Sequence, residues 1–180
     1  MINPLKPLNF TRLLILATGV SLGLADVAQA QGQDADAQAT FINTEGTEIG
    51  MATLSGTPAG VLIELDLAEL PPGTWHGFHI HETGECDAEG GFESAGGHLT
   101  ISSTNHGFFT DGGHHAGDMP NQYVASDGTL KAQVLNHQAV LGAEQDNLSG
   151  RALMLHSGPD DYESQPSGDA GDRIACAVIQ

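Results

Sequence analysis

The chain has 180 residues, enough for one domain and an appendage. Its 23 Asp and Glu against 5 Lys and Arg give a formal charge of −18 at pH 7. Such a surface repels nucleic acid and anionic lipid and argues against any general affinity for anions.

The first thirty residues have the make-up of a secretory signal, with Lys6 and Arg12 ahead of an apolar run at 13–25. Ala28-Gln29-Ala30 is a small-x-small cleavage site, so 1–30 is expected to be removed and the mature chain to start at Gln31. The apolar run is short for a membrane span, and no later stretch is apolar for long enough to cross a bilayer. The mature form is therefore expected off the membrane, secreted or periplasmic. Cys86 and Cys176 are the two cysteines, an even count that suggests one disulfide in an exported chain; two free buried thiols are the alternative.

Residues 31–36 are polar and expected to be a flexible N-terminus. Short alternating runs follow at 37–43, 48–54 and 61–67. In the last of these, Ile63, Leu65 and Leu67 share one face and Glu64 and Asp66 the other. Glu45-Gly46, Ser55-Gly56-Thr57-Pro58 and Pro71-Pro72-Gly73 are turn signals between the runs. The stretch W-H-G-F-H-I-H-E at 75–82 is aromatic and β-branched, so it is expected to be a strand. There His79 and His81 fall on one face, as two ligands of one metal would, and Phe78 and Ile80 on the other. His76 shares the face of Phe78 and Ile80 and is expected to be packed and hydrogen-bonded. From 83 to 120 the pattern stops in a segment rich in Gly, Asp and His. A loop of that length needs something to hold it or a task to perform. Strands are expected again at 122–126, 130–135, 151–156 and 173–180, with a second irregular segment at 157–172. Regular short strands without a 3.6-residue apolar repeat indicate an all-β sandwich or barrel.

The first long segment carries His98, His106, His115 and Asp118, three imidazoles and a carboxylate suited to a closed tetrahedral zinc site. Fixing four points of a floppy loop to one ion would order it. His156, at the end of its strand, falls on the face opposite Leu153 and Leu155 and could join His79 and His81. A nitrogen-rich set of that kind suits copper. His114 has the wrong position in H-A-G-D and is expected to be solvated; His137 lies in a turn and carries no assignment.

The motifs G-F-H-I-H-E at 77–82, S-A-G-G-H at 94–98, N-H-G at 105–107, H-A-G-D at 115–118, L-H-S at 155–157 and A-G-D-R-I-A-C at 170–176 resemble, in order and spacing, those of the Cu/Zn superoxide dismutases in their exported form. The resemblance covers 37–180. It implies an eight-stranded Greek-key β-barrel or sandwich, immunoglobulin-like, with two long metal-site loops. It implies one copper and one zinc per chain. The copper ligands would be His79, His81, His98 and His156, and the zinc ligands His98, His106, His115 and Asp118, with His98 bridging. Asp160 would be the carboxylate joining a copper histidine to a zinc histidine, and Arg173 the group that draws the anionic substrate. Cys86 and Cys176 would form the family disulfide. The implied activity is disproportionation of superoxide to dioxygen and hydrogen peroxide by alternating reduction and oxidation of copper, with zinc holding the site. The family contains dimers and monomers, so a homodimer is left open. Two departures stand out. Leu99-Thr100-Ile101 replaces the usual Phe-Asn-Pro after the bridging histidine, which puts the shape of the zinc loop in question. The second loop has no lysine, which puts substrate steering in question.

Overall fold

In the computed structural model, which describes residues 36–102, 104–142 and 147–180, the regular structure is eight strands. They are β1 (Ala37–Asn43), β2 (Glu48–Thr57), β3 (Gly60–Leu67), β4 (Trp75–His81), β5 (Asp118–Tyr123), β6 (Leu130–Asn136), β7 (Ala152–His156) and β8 (Arg173–Val178). One short turn of 3-10 helix, Glu93–Ala95, is the sole helical piece among the described residues. The leader expected at 1–30 lies outside the described residues, as do 31–35. Asp36 is tied to β2: its N–H donates to the Leu54 carbonyl at 2.9 Å, and its carboxylate accepts from Gly56 N–H at 2.7 Å.

All strand pairs are antiparallel, in the order β5-β4-β7-β8-β1-β2-β3-β6. The edge strands β5 and β6 come together, so the sheet is a nearly closed barrel. β3 and β4 follow each other in the chain but lie far apart in the sheet, and so do β6 and β7. Those crossings make the Greek key. The alternation in β3 sets the core as expected: Ile63, Leu65 and Leu67 are buried with Phe41, Phe78, Ile80, Leu153 and Leu155, while Glu64 and Asp66 face out. Each such side chain contributes about 1.5–3 kcal/mol by leaving water.

β7 is buried at every position, and β4 from His76 onward, instead of on one face. The outer side of β7 and β8 is covered by the first long loop. Phe92 and Ala95 of that loop pack on Ala152, Met154 and Cys176. The Cys86–Cys176 disulfide, with 5.7 Å between its Cα atoms, staples the loop there. Closing a loop of about 90 residues removes roughly 4.6 kcal/mol of chain entropy from the unfolded state.

One strand is displaced from its expected place. β5 runs Asp118–Tyr123 rather than 122–126, so Asp118 belongs to a strand and the first loop ends at 117. Pro120 lies inside β5, where a proline ordinarily argues against a strand. It is tolerated because β5 is an edge strand and carries a bulge at this point. Met119 faces Phe78 and Gln122 faces His76, so Pro120 and Asn121 together stand opposite Gly77.

Candidate metal centre

His79 and His81 stand two apart on β4, on the face away from the core. β7 pairs beside β4, with Met154 opposite His79 and Ala152 opposite His81, and brings His156 onto the same face. The first loop returns alongside β4 at His98, which bridges to His81. The four rings close together, with centroids 4.0 Å apart for His79 and His98, 4.8 Å for His79 and His156, and 5.1 Å for His81 and His98. One potential ligand atom from each lies within 4.8 Å of the others.

In each ring one nitrogen is anchored and the other is bare. His79 Nε2 donates to Asp160 Oδ2 at 2.8 Å, His81 Nδ1 to the Gly96 carbonyl at 2.9 Å and His156 Nδ1 to the Gly171 carbonyl at 3.2 Å. His98 Nδ1 lies 2.8 Å from Asp118 Oδ1. The opposite nitrogens, His79 Nδ1, His81 Nε2, His98 Nε2 and His156 Nε2, are buried with no hydrogen-bond partner. Burial lowers the pKa of His79 to about 3, of His81 to about 2 and of His156 to about 4, so these rings are neutral at pH 7. A buried polar atom without a partner costs about 1–3 kcal/mol. Several bare nitrogens facing one another suit a cation, with the anchoring bonds fixing tautomer and ring angle.

The second set gathers about one oxygen. Asp118 Oδ1 lies 2.8 Å from His98 Nδ1, 3.0 Å from His106 Nδ1 and 3.4 Å from His115 Nδ1. Ligands about 2.0–2.1 Å from a tetrahedral zinc stand about 3.3–3.4 Å from one another. One carboxylate oxygen cannot take three imidazoles as ordinary acceptor partners, so this set also suits an ion. Asp118 Oδ2 accepts from the main-chain N–H of Gly107 at 2.9 Å and of His115 at 3.0 Å. Burial opposes its ionisation, yet the bonds to His106, His98 and Gly107 hold the carboxyl well below the usual range.

Asp160 sits between the two sets. Its Oδ2 binds His79, and its Oδ1 binds His106 Nε2 at 3.0 Å and Tyr162 N–H at 2.6 Å. Burial works against a charged His106, but carboxylates on both ring nitrogens outweigh it and raise the pKa to about 9. Gly168 covers Asp160 at a φ of +73°, and a Cβ there would fall 1.8 Å from Asp160 Oδ1.

The sets open on a cleft of about 720 Å³, lined by His81, His98, His115, His156 and Arg173, among others. Arg173 donates to the carbonyls of Phe92 at 2.6 Å and Gly96 at 2.8 Å, with the Glu93 carboxylate 3.6 Å away.

The structure brings His79, His81, His98 and His156 together in one group and His98, His106, His115 and Asp118 in another, with Asp160 between them and Arg173 on the cleft wall, while Cys86 and Cys176 lie apart from the cleft. His76 is buried as expected, its ring nitrogens at the carbonyls of His156 (2.6 Å) and Pro71 (3.2 Å). His137 is exposed. His114 differs from expectation. It is half-buried, not solvated, because its Nδ1 donates to the His115 carbonyl at 2.7 Å and its ring packs on Phe108. The unusual residues after His98 leave the ligands in place. Leu99 is buried, and its main chain bonds Ile80 O at 2.8 Å and Gly117 N at 2.9 Å. Two amide residues went unnoticed in the sequence. Gln165 bonds both the N–H and the C=O of His106, each at 2.9 Å. Asn121 does the same to Asp160, each at 2.8 Å. Polar side chains at irregular positions carry no periodic signal that would single them out.

Residues 48–179 match the family model described as copper/zinc superoxide dismutase (SODC). The chain is similar to Superoxide dismutase (Cu-Zn) 2 of Aquifex aeolicus (strain VF5), at 46% identity over 91% of this chain and 98% of the relative. Among solved structures, a SOD-like protein from Bacillus subtilis superposes with a TM-score of 0.74 at 35% identity, covering 78% of this chain and 95% of that one. The Cu/Zn superoxide dismutase from Brucella abortus gives 0.68 at 29% identity, covering 81% and 100%. The matched region takes in every residue of both sets, and the chain belongs to the copper/zinc superoxide dismutase family.

Proposed function

We propose that the chain is an exported superoxide dismutase, with copper held by His79, His81, His98 and His156 and zinc by His98, His106, His115 and Asp118. The observation that carries this reading is the sharing of His98, whose Nε2 is bare toward one set while its Nδ1 lies at Asp118 in the other. An all-nitrogen set suits copper, and a set of three imidazoles and a carboxylate suits zinc. Export is supported by the leader-like residues 1–30 and by the disulfide.

A copper ion held by His79, His81, His98 and His156 would supply the one-electron redox chemistry by which two superoxides and two protons become dioxygen and hydrogen peroxide. The protein supplies the rest. Arg173, at the cleft wall, attracts and orients the superoxide anion. His98 Nε2 takes up a proton in one half of the cycle and releases it in the other. Asp160 holds the rings of His79 and His106 at fixed angles, and Asp118 keeps His98 Nδ1 toward the zinc side. The test is superoxide consumption by the chain loaded with both metals, together with metal analysis. One copper, one zinc and rapid consumption are expected. Two equivalents of zinc with no copper bound, or full loading without consumption, would overturn the reading.

A further inference from the structure

We infer that Asn121 is a positioning residue of the metal centre, acting on His79 and His106 through Asp160. The argument begins at the bulge in β5. Two residues, Pro120 and Asn121, face Gly77 alone, so the ladder between β4 and β5 is interrupted there. Pro120 has no N–H to offer. The bulge leaves Asn121 N–H without a ladder partner, and the second loop receives it: it donates to Tyr162 Oη at 2.7 Å. A bulge also re-aims a side chain. Here the Asn121 amide meets the main chain of Asp160 at both ends, Nδ2 donating to its C=O and Oδ1 accepting its N–H, each at 2.8 Å.

The consequence follows from where Asp160 sits. Residues 157–172 contain no regular element, so besides the loop's own bond from Tyr162 N–H, anchors on the barrel set the place of its carboxylate. Asn121 provides two bonds to the very residue whose two oxygens span His79 and His106. An amide carries its donor and its acceptor on separate atoms and so reaches both groups of Asp160, whereas an ionised carboxylate of the same size offers acceptors alone. Partners that orient metal ligands typically matter about 10–100-fold in metal affinity. Asn121 stands one step further out, so its effect belongs at the lower end of that range.

This inference rests on the metal assignment above, and the experiment separates the two. Zinc alone and copper alone are loaded into the full chain, and loss of each ion to EDTA is followed by metal analysis. Asn121→Ala should speed the release of both ions roughly tenfold. In an Asp160→Ala background the same substitution should change release less than about twofold, because residues acting in series are not additive. The Cu(II) electron-paramagnetic-resonance spectrum of Asn121→Ala should shift toward that of Asp160→Ala, a change that a loss of stability alone would not produce. Asn121→Asp keeps the acceptor and loses the donor, so its release should fall between the two, and it decides the matter if Asn121→Ala does not fold. Wild-type release rates in the folded variants, or an undiminished tenfold effect without Asp160, would overturn the inference while leaving the metal assignment intact. Failure of the unaltered chain to bind either ion would overturn both.

Discussion

The two ligand sets share one histidine but are built on different supports. Three rings of the first set stand on paired strands, His79 and His81 on β4 and His156 at the end of β7. In the second, His98, His106 and His115 all come from the first loop, and only Asp118 starts a strand. Strand positions are fixed by the ladder and by the core beneath them, whether or not an ion is present. The loop has a few apolar anchors, Phe92, Ala95, Leu99 and Ala116 among them, and its histidines converge on one carboxylate oxygen. The first set should therefore be the more preorganised of the two, and the fold of the first long loop should depend more strongly on its ion.

Breaking each set separately gives the largest effects. Replacing His156 by Ala should reduce superoxide consumption to background while zinc stays bound, since His156 belongs to the strand-borne set alone. Replacing Asp118 by Ala should weaken zinc by more than the roughly 10–100-fold typical of outer-shell changes, because a direct ligand is lost. Hydrogen exchange should sharpen the contrast. Without zinc, amides around residues 99–116 should lose protection, and β4 and β7 should keep theirs. Equal loss of both metals in both variants would contradict the division.

The sets should also differ in pH dependence. His106, between Asp118 and Asp160, has its pKa raised from 6.5 to about 9 in the metal-free fold. Its charged form stabilises that fold in full below pH 6.5, and the contribution is lost as pH rises through about 9. Zinc must displace this proton, so its apparent affinity should rise roughly tenfold per pH unit from 7 to 9. His79, His81 and His156 are already neutral at pH 7 and release nothing over that range. Competition titrations against a chelator of known proton affinity measure both slopes, and equal slopes would remove the distinction.

The same contrast governs what could be read from the sequence. β3 was legible because one of its faces meets water, so alternation survives. β7 gives no such alternation, since the loop buries its second face, and its histidine is placed by its parity with Ala152 and Met154, opposite Leu153 and Leu155. β5 was shifted because Pro120 hides a strand that tolerates it only at a bulged edge. The ligands were legible through motif and spacing. Asn121 and Gln165 were not, because their partners are main-chain groups that only folding brings near.

A smaller effect concerns the mouth of the cleft. Replacing Arg173 by Ile should lower the rate constant for superoxide by roughly tenfold, in the lower part of the range for electrostatic steering. Copper and zinc content should not change, because Arg173 binds loop carbonyls and no ligand side chain. Loss of copper along with rate would make Arg173 a support for the site instead.

The smallest effect is the response to salt, and it depends on how charge is placed around the cleft. Arg173 is the only cationic side chain among the described residues that line it, alongside the acids Glu82, Glu93 and Asp172. Glu93 lies 3.6 Å from Arg173 and is 79% exposed, so it offsets part of the attraction at the mouth. The other two basic residues among those described add little. Lys131, on β6, pairs with Asp66 at 2.6 Å, and Arg151 donates to the Glu82 main-chain carbonyl. Beyond the cleft an approaching anion meets a chain of formal charge −18. At 0.01 M salt the Debye length is about 30 Å and those remote acids are felt; at 0.15 M it is about 8 Å and the local positive groups dominate. Added salt should therefore screen repulsion at least as much as attraction. The second-order rate constant should stay flat or rise by less than about twofold between these conditions. Pulse radiolysis across a salt series measures it. Replacing Glu93 by Gln should raise the rate most at low salt and convert the flat profile into a falling one, since favourable steering is what salt weakens. A steep fall in the unaltered enzyme would mean that Arg173 and the bound metals outweigh the charge of the whole chain.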